Sequence, residues 1–412
     1  MVEAWGILQP ADIPSARRLQ ALRLTSAIRH FNERSVPGMG GVWFAMPLIW
    51  SLFGIAITQK PDLRSTDLAR AQRRAFRPIE VANAIEALAM KLVLEGWDGG
   101  TDTRVRGRRN LPRVGKTFAD LRRPGAYVTQ PFRQSCAQPL ATLGLVEGTS
   151  ARFNAFSLTP DGERLLEPLA EVGTEIATWL DGRRSTDGNV LSAIAPTATL
   201  PPSIRAELMR RIYGNSTGAD RRRSIRDAGV QLTSDVILGT NPEGLAQDHL
   251  IDLRGGIATV RLRDAALQVL GAVENRIAKL RADGRMPQLS LAEAEQDDQI
   301  RAKVRDCLAE AERAARHIEA AQDEADSRAF LCECRTAEGL LQRLAKRDGV
   351  VIVFRDGVLV PGPAFGADIA TEDDRVAVNP GVPELPRIAN LLALTEDLSG
   401  DATPAAAGRA AE

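Results

Sequence analysis

Aromatic residues make up only 4% of this 412-residue chain, histidine occurs three times and cysteine four times. With so few aromatics, any core must be aliphatic, built from Ala, Leu, Ile and Val. The cysteines (Cys136, Cys307, Cys332 and Cys334) are too few and too scattered for a secreted disulfide framework. Cys332 and Cys334 lack a second Cys or His pair that would complete a zinc site, and His30, His249 and His317 lie far apart without metal-ligand spacing. No Gly-x-Ser-x-Gly elbow is present. Gly115-Lys116-Thr117 ends like a phosphate-binding loop, but Asn110 stands where that loop needs its first glycine. These absences lead us to expect no metal, no cofactor and no catalysis. A dispersed nuclease carboxylate set, including Asp348 and Asp356, stays open as an alternative, although it lacks a convincing Lys partner.

A long membrane-spanning run is also missing. Ser35 to Gln59 carries no charge and includes VWFAMPLIWSLFGIAI. A membrane helix needs about 20 apolar residues, whereas this run is shorter, follows a glycine-rich turn (Gly38, Gly40, Gly41) and is interrupted by Pro47. We therefore expect Pro47 to start a fully buried helix over Leu48–Thr58. Met1–Pro10 has no basic region followed by an apolar one, so no signal peptide is expected and the location is cytoplasmic.

The 53 basic residues balance the 53 acidic ones, yet the charge is unevenly spread. Lys60 to Arg133 holds 16 basic against 8 acidic residues, and Ser290 to the end holds 14 against 24. A basic front and an acidic back hint at nucleic-acid contact. The 47 arginines against six lysines fit a GC-rich bacterial source. The segment TDTRVRGRRNLPR alone carries five arginines and one carboxylate.

Periodicity predicts a helix over Ser15–Glu33, a basic helix over Leu63–Arg74, and a longer helix after Pro78 with Val81, Ile85, Leu88 and Leu92 on one face. Beyond it, Thr129 is the expected cap of a helix whose inward face is Phe132, Cys136, Leu140 and Leu143. Gly144 ends that helix. A strand over Leu145–Glu147, a Gly148-Thr149-Ser150 turn, a strand over Arg152–Leu158 and a Thr159-Pro160 helix start follow.

The stretch LATLGLVEGTSARFNAFSLTPDGERLLE (Leu140–Glu167) resembles the C-terminal half of a winged helix-turn-helix domain. It is similar to bacterial regulators of the multiple-antibiotic-resistance and phenolic-acid-response types, with the likeness extending over about residues 78–170. Pro139 departs from the pattern and should bend or break the recognition helix near Gln138. The resemblance implies that Gln130, Arg133, Gln134 and Gln138 face base edges, where arginine suits guanine and glutamine suits adenine. Arg152 would stand at the wing, and Arg106, Arg108, Arg109, Arg113, Lys116, Arg122 and Arg123 would contact phosphates. A second basic cluster, Arg221, Arg222 and Arg223, is a further candidate for phosphate contact.

Toward the C-terminus, Leu262, Ala266, Val269, Val273, Ile277 and Leu280 line one helix. Ile300, Val304, Cys307, Ala311, Ala314, Ile318, Ala321 and Ala325 make a heptad seam along another. Two such helices predict an antiparallel coiled-coil hairpin of ~33 Å or more. A helix over Thr336–Arg347, a strand pair turning at Asp356-Gly357 and a helix over Pro386–Leu398 complete the chain.

The expected fold is mainly α and multi-domain. It comprises an N-terminal helical domain (1–76), a winged helix domain (77–180), a linker (181–202), a basic helical region (203–258), a coiled-coil hairpin (259–330), a small α+β unit (331–398) and a disordered tail (399–412). The expected function is that of a DNA-binding, non-catalytic accessory subunit in a DNA-handling assembly, such as antiviral defence or a mobile element. Its partners would be double-stranded DNA, other protein subunits engaged through the hairpin and the acidic C-terminal region, or a second copy of the chain, with no membrane. The alternative is an architectural subunit resembling the kleisins, whose winged helix binds the ATPase head of a chromosome-condensing complex.

Overall fold

The computed structural model describes residues 22–59, 76–96, 102–123, 125–182, 187–321, 324–366 and 382–400, and the chain is mainly helical. The expected basic helix at 63–74, the start of the first helix and the tail beyond residue 400 lie outside the described residues. In chain order, the first half contains α1 (Thr25–Ser35), α2 (Met46–Gln59), α3 (Pro78–Glu95), α4 (Phe118–Leu121), α5 (Ala137–Thr142), β1 (Val146–Gly148), β2 (Phe156–Leu158), α6 (Pro160–Leu166), α7 (Ala170–Asp181) and α8 (Gly188–Leu191). Next come α9 (Pro202–Tyr213), α10 (Ala219–Ala228), α11 (Ser234–Gly239) and α12 (Gln247–Ala282). After these follow β3 (Leu289–Ser290), α13 (Leu291–Gln296), α14 (Asp298–Ala320), α15 (Ala325–Cys334), α16 (Leu340–Asp348), β4 (Ile352–Arg355), β5 (Val358–Pro361) and α17 (Pro386–Ser399).

The chain divides into two compact units, one of Asn32–His249 with Arg375–Glu412 and one of Met1–Phe31 with Leu250–Asp374. This grouping differs from a linear string of seven segments.

In the first of these units the uncharged run forms α2, whose residues from Met46 through Ile55 are all buried. Among the described residues no helix is long and apolar enough to cross a membrane. A helix apolar on every side must be enclosed, and α2 packs against α3, β2, α6 and a 3-10 turn at Phe132–Ser135. Gly54 permits the closest approach, since a Cβ there would lie 2.5 Å from that of Ala82 on α3. Residues 46–59 of the expected N-terminal domain and the expected winged segment thus share one core.

The described residues 187–202 of the expected linker are packed into this unit. Leu191, Ile194 and Leu200 are buried, and the Trp50 indole donates to the Ile194 carbonyl at 2.9 Å. Helix α17 also belongs here: the Ala45 amide donates to Asp397 at 2.9 Å, and Arg205 donates to the Leu398 carbonyl at 3.2 Å.

In the other unit, Ala258, Leu262, Ala266, Val269, Val273, Ile277 and Leu280 of α12 share a core with Ile300, Cys307, Ala311, Ala314 and Ile318 of α14. Contacts between Gln268 and Lys303 (3.0 Å) and between Arg276 and Asp297 (3.5 Å) show that the two helices run antiparallel. The seam ends at Ala321, where the chain leaves the helix (φ −81°, ψ 71°), and Ala325 is exposed at the start of α15. From there Ser327, Phe330, Leu331 and Cys334 turn inward instead.

Asp356 and Gly357 both take positive φ, 49° and 83°, as a tight strand reversal demands. Strands β4 and β5 pair antiparallel with Arg355 opposite Val358, and β3 adds a third strand with Leu289 opposite Leu359. Within the described part of the expected Ser15–Glu33 helix, Leu22 and Arg23 sit at left-handed φ of 43° and 59°, and the helix there runs from Thr25.

Ala314 is 2% exposed, so Ala314→Glu should bury an unpaired charge and lower the denaturation midpoint sharply. Ala309→Glu, on the exposed side of α14, should change stability by about 0.5 kcal/mol or less. Urea titrations of both variants check this, and equal losses would contradict the assigned seam.

Candidate nucleic-acid interface

The strongest local sequence signal, Leu-Thr-Pro-x-Gly, has a direct structural cause. The Thr159 hydroxyl accepts from the Gly162 amide at 3.1 Å and donates to the Gly144 carbonyl at 2.7 Å, while Pro160 opens α6. A side chain at Gly162 would strike the Leu145 carbonyl. The two short strands ahead of it pair antiparallel, Val146 opposite Leu158 and Gly148 opposite Phe156. Residues 153–155 form a 3-10 turn rather than a continuation of the second strand.

The segment expected to form a recognition helix is broken. A 3-10 turn at Phe132–Ser135, capped by Pro131 rather than Thr129, is followed by the six-residue α5, with Pro139 inside its first turn. The first backbone amides of a helix or 3-10 turn lack intrahelical acceptors. Here Glu86 of α3 supplies acceptors, taking the Phe132 amide at 2.8 Å and the Arg133 amide at 3.2 Å. Glu86 is fully buried, because α3 is apolar around most of its circumference. Burial pushes its carboxyl up to about 7, against the opposing pull of the two amides and of the Arg106 and Arg133 guanidiniums. Cys136, hydrogen-bonded to the Phe132 carbonyl and fully buried, is pushed up to about 12, mainly by desolvation, and is therefore an unreactive thiol.

The predicted contact residues fall into three sets. Arg122, Arg123, Arg133 and Gln134 come together on the wall of a cavity of about 610 Å³, joined by Arg77 and Asn83, which the sequence reading did not select. Beside it, Arg106 stacks 3.8 Å over the Phe132 ring and donates to the Gln130 carbonyl at 3.1 Å. Arg133 is half-buried, not on an open face: its Nε donates to Asn83 and its guanidinium lies 6.0 Å from the Phe153 ring. Gln130 is likewise half-buried. Arg133 is therefore a wall residue of the cavity rather than part of an open face, and Gln130 does not line it.

A second set lies on the surface. Arg108, Arg109, Arg113, Lys116, Gln138 and Arg152 are exposed, as is Gln134 on the cavity wall. Among the described residues the guanidiniums of Arg109, Arg113 and Arg152 have no ion-pair partner, whereas Lys116 pairs with Glu95 at 2.5 Å. The segment that presents Arg108 to Lys116 is held in place from below. Leu111 is fully buried, the Lys91 ammonium donates to its carbonyl at 3.0 Å, and Asn110 donates to the Tyr127 carbonyl at 2.8 Å.

The third set, Arg221, Arg222 and Arg223, does not line the cavity. Arg222 is fully buried and donates to the carbonyls of Ile212 (2.7 Å), Thr217 (2.9 Å) and Pro37, and to the Ser216 hydroxyl (2.6 Å). Arg223 donates to the Tyr213 and Gly214 carbonyls, and Arg221 to the Arg34 carbonyl and Asp248. These arginines satisfy the carbonyls left open at the end of α9 and its neighbours. Arg222 is thus a structural residue and not a phosphate contact.

Among the described residues no group of three or more His, Cys, Asp or Glu could hold a metal ion. No family model matches the chain, and no curated protein or solved structure matches it either.

Between about pH 4.5 and 7 the folded chain holds a proton on Glu86 that the unfolded chain has released. Its contribution to stability is complete below the unfolded value and is lost as pH rises through about 7. Glu86→Gln, which keeps one acceptor, should flatten the decline between about pH 5 and 7. Urea midpoints across that range decide, and an undiminished slope in the variant would assign the titration to another group.

Proposed function

We propose that this chain is a DNA-binding winged-helix protein and a non-catalytic, cytoplasmic accessory subunit of a bacterial DNA-handling assembly, of the kind found in antiviral defence or mobile elements. The observation that carries this reading is the set of exposed arginines, Arg108, Arg109, Arg113, Arg123 and Arg152, on the segments flanking the broken helix, the strand pair and the capped α6. In this reading the Phe132–Ser135 turn with α5 takes the place of the recognition helix, and Gln134 and Gln138 face base edges. Residues 149–152 form the wing. The surface arginines contact phosphates on any sequence. Helices α12 and α14 serve as an antiparallel coiled-coil hairpin that, with the acidic C-terminal region, engages protein subunits or a second copy of the chain.

One observation favours the kleisin-like alternative. The recognition segment is short and Arg133 is turned inward, which leaves few side chains for reading bases. A winged helix of that kind would bind an ATPase head.

Arg108→Ala and Arg109→Ala should weaken binding to every duplex and reduce the salt slope by about one unit per lost contact. Arg222→Ala should instead lower stability, since it leaves buried carbonyls unsatisfied. Fluorescence anisotropy at two salt concentrations and a thermal melt separate these effects. Absence of duplex affinity at low salt would transfer the assignment to the kleisin-like reading.

A further inference from the structure

The cavity beside Glu86 has a composition that the duplex reading does not require. Arg77, Arg122, Arg123 and Arg133 all stand on its wall, and Glu80 is the carboxylate among its lining residues. Glu80 is already engaged: it accepts the Arg77 amide at 3.0 Å and lies 3.5 Å from the Arg77 and 3.9 Å from the Arg122 guanidinium. The wall therefore carries an excess of positive charge next to apolar Ile79, Leu121 and Pro131. Arg122 is 19% exposed, and its Nε is buried without a hydrogen-bond acceptor. Burial also holds the Arg133 pKa below the ordinary arginine value. Guanidiniums that line one recess, with Arg122 and Arg133 partly desolvated and Arg77 59% exposed, repel one another unless an anion joins them, and a phosphoryl group matches their forked donors. The volume, about 610 Å³, exceeds what a bare phosphate needs and lies within the range of sites for small organic ligands.

We propose that this cavity is a binding site for the phosphoryl group of a nucleotide, held by Arg77, Arg122 and Arg133 with Arg123 at the mouth. The phosphoryl chemistry follows from the cavity, while the choice of a nucleotide rests on the nucleic-acid reading. Two sources carry the same group: a free nucleotide, and the phosphorylated end of a strand. Neither needs the duplex phosphate contacts of Arg108 and Arg109.

Calorimetric titration of the full chain with inorganic phosphate, adenosine, adenosine monophosphate and a short single strand with or without a 5′ phosphate tests the site. The phosphorylated ligands should bind, adenosine and the unphosphorylated strand should bind at least about tenfold more weakly, and Arg122→Gln and Arg77→Gln should each weaken phosphate-bearing ligands by about tenfold or more. Arg210→Gln, outside both the cavity and the surface set, should leave them unchanged. Arg123 is 71% exposed, so Arg123→Gln tests the site without disturbing the core and should also weaken them. A strand end that binds more tightly than the mononucleotide identifies the terminal source, and equal binding identifies the free nucleotide. Equal affinity for adenosine and its monophosphate, or unchanged binding in the Arg122, Arg77 and Arg123 variants, would overturn the proposal. Duplex affinity measured on the same preparations keeps the two readings apart: duplex binding without nucleotide binding defeats the cavity site alone, and nucleotide binding without duplex binding defeats the duplex reading alone.

Discussion

Enclosure of α2 is the constraint on which the larger unit depends. A 14-residue helix with no charged residue and apolar side chains on every face has no side to offer to water. It has to be surrounded, and the chain does so with α3, α6, α7, β2 and the 3-10 turn at Phe132. That packing in turn removes most of α3 from solvent, including Glu86. A buried carboxyl needs donors, and the amides of Phe132 and Arg133 are donors that need an acceptor. One apolar helix thus leads, through a single carboxyl, to the position of the segment that carries Gln134 and Gln138. The cluster of Arg106, Arg133 and Asn83 around it follows from the same pairing.

How far such relations can be read from the chain depends on how local they are. The start of α6 was legible because Thr159, Pro160 and Gly162 act within four residues of one another. The Asp356-Gly357 reversal was legible for the same reason. The alternating steps from Ile300 to Ala321 showed the inward face of α14 because a helix repeats its own geometry. The division into units was not legible. Helix α17 packs with α9 and α10, and its Thr395 meets Tyr213, almost two hundred residues earlier. Periodicity carries no record of such distant pairing. Residues 181–202 have a linker's composition, yet Leu191, Ile194 and Leu200 are buried.

Arginine was the least legible residue in the chain. A run such as Arg221, Arg222 and Arg223 has the same composition whether it faces a phosphate or a carbonyl. In this fold Arg222 closes the end of a helix and Arg106 lies flat on Phe132, whereas Arg109 and Arg113 stand in solvent. What separates them is the depth of the backbone at each position, which depends on the tertiary fold. Glu86 had a weak signal, since it sits in a helix whose neighbouring positions are nearly all apolar. Arg77 and Asn83 gave none, because each looks like an ordinary polar residue at the solvent side of α3.

In the proposed reading, the surface around the broken helix and its strand pair holds DNA. Amide hydrogen exchange of the full chain, recorded with and without a random duplex at low salt, tests it most directly. Slowed exchange is expected within 104–123 and 130–158, with residues 262–320 unchanged. Protection confined to 262–361, or none anywhere at saturating duplex, would contradict it.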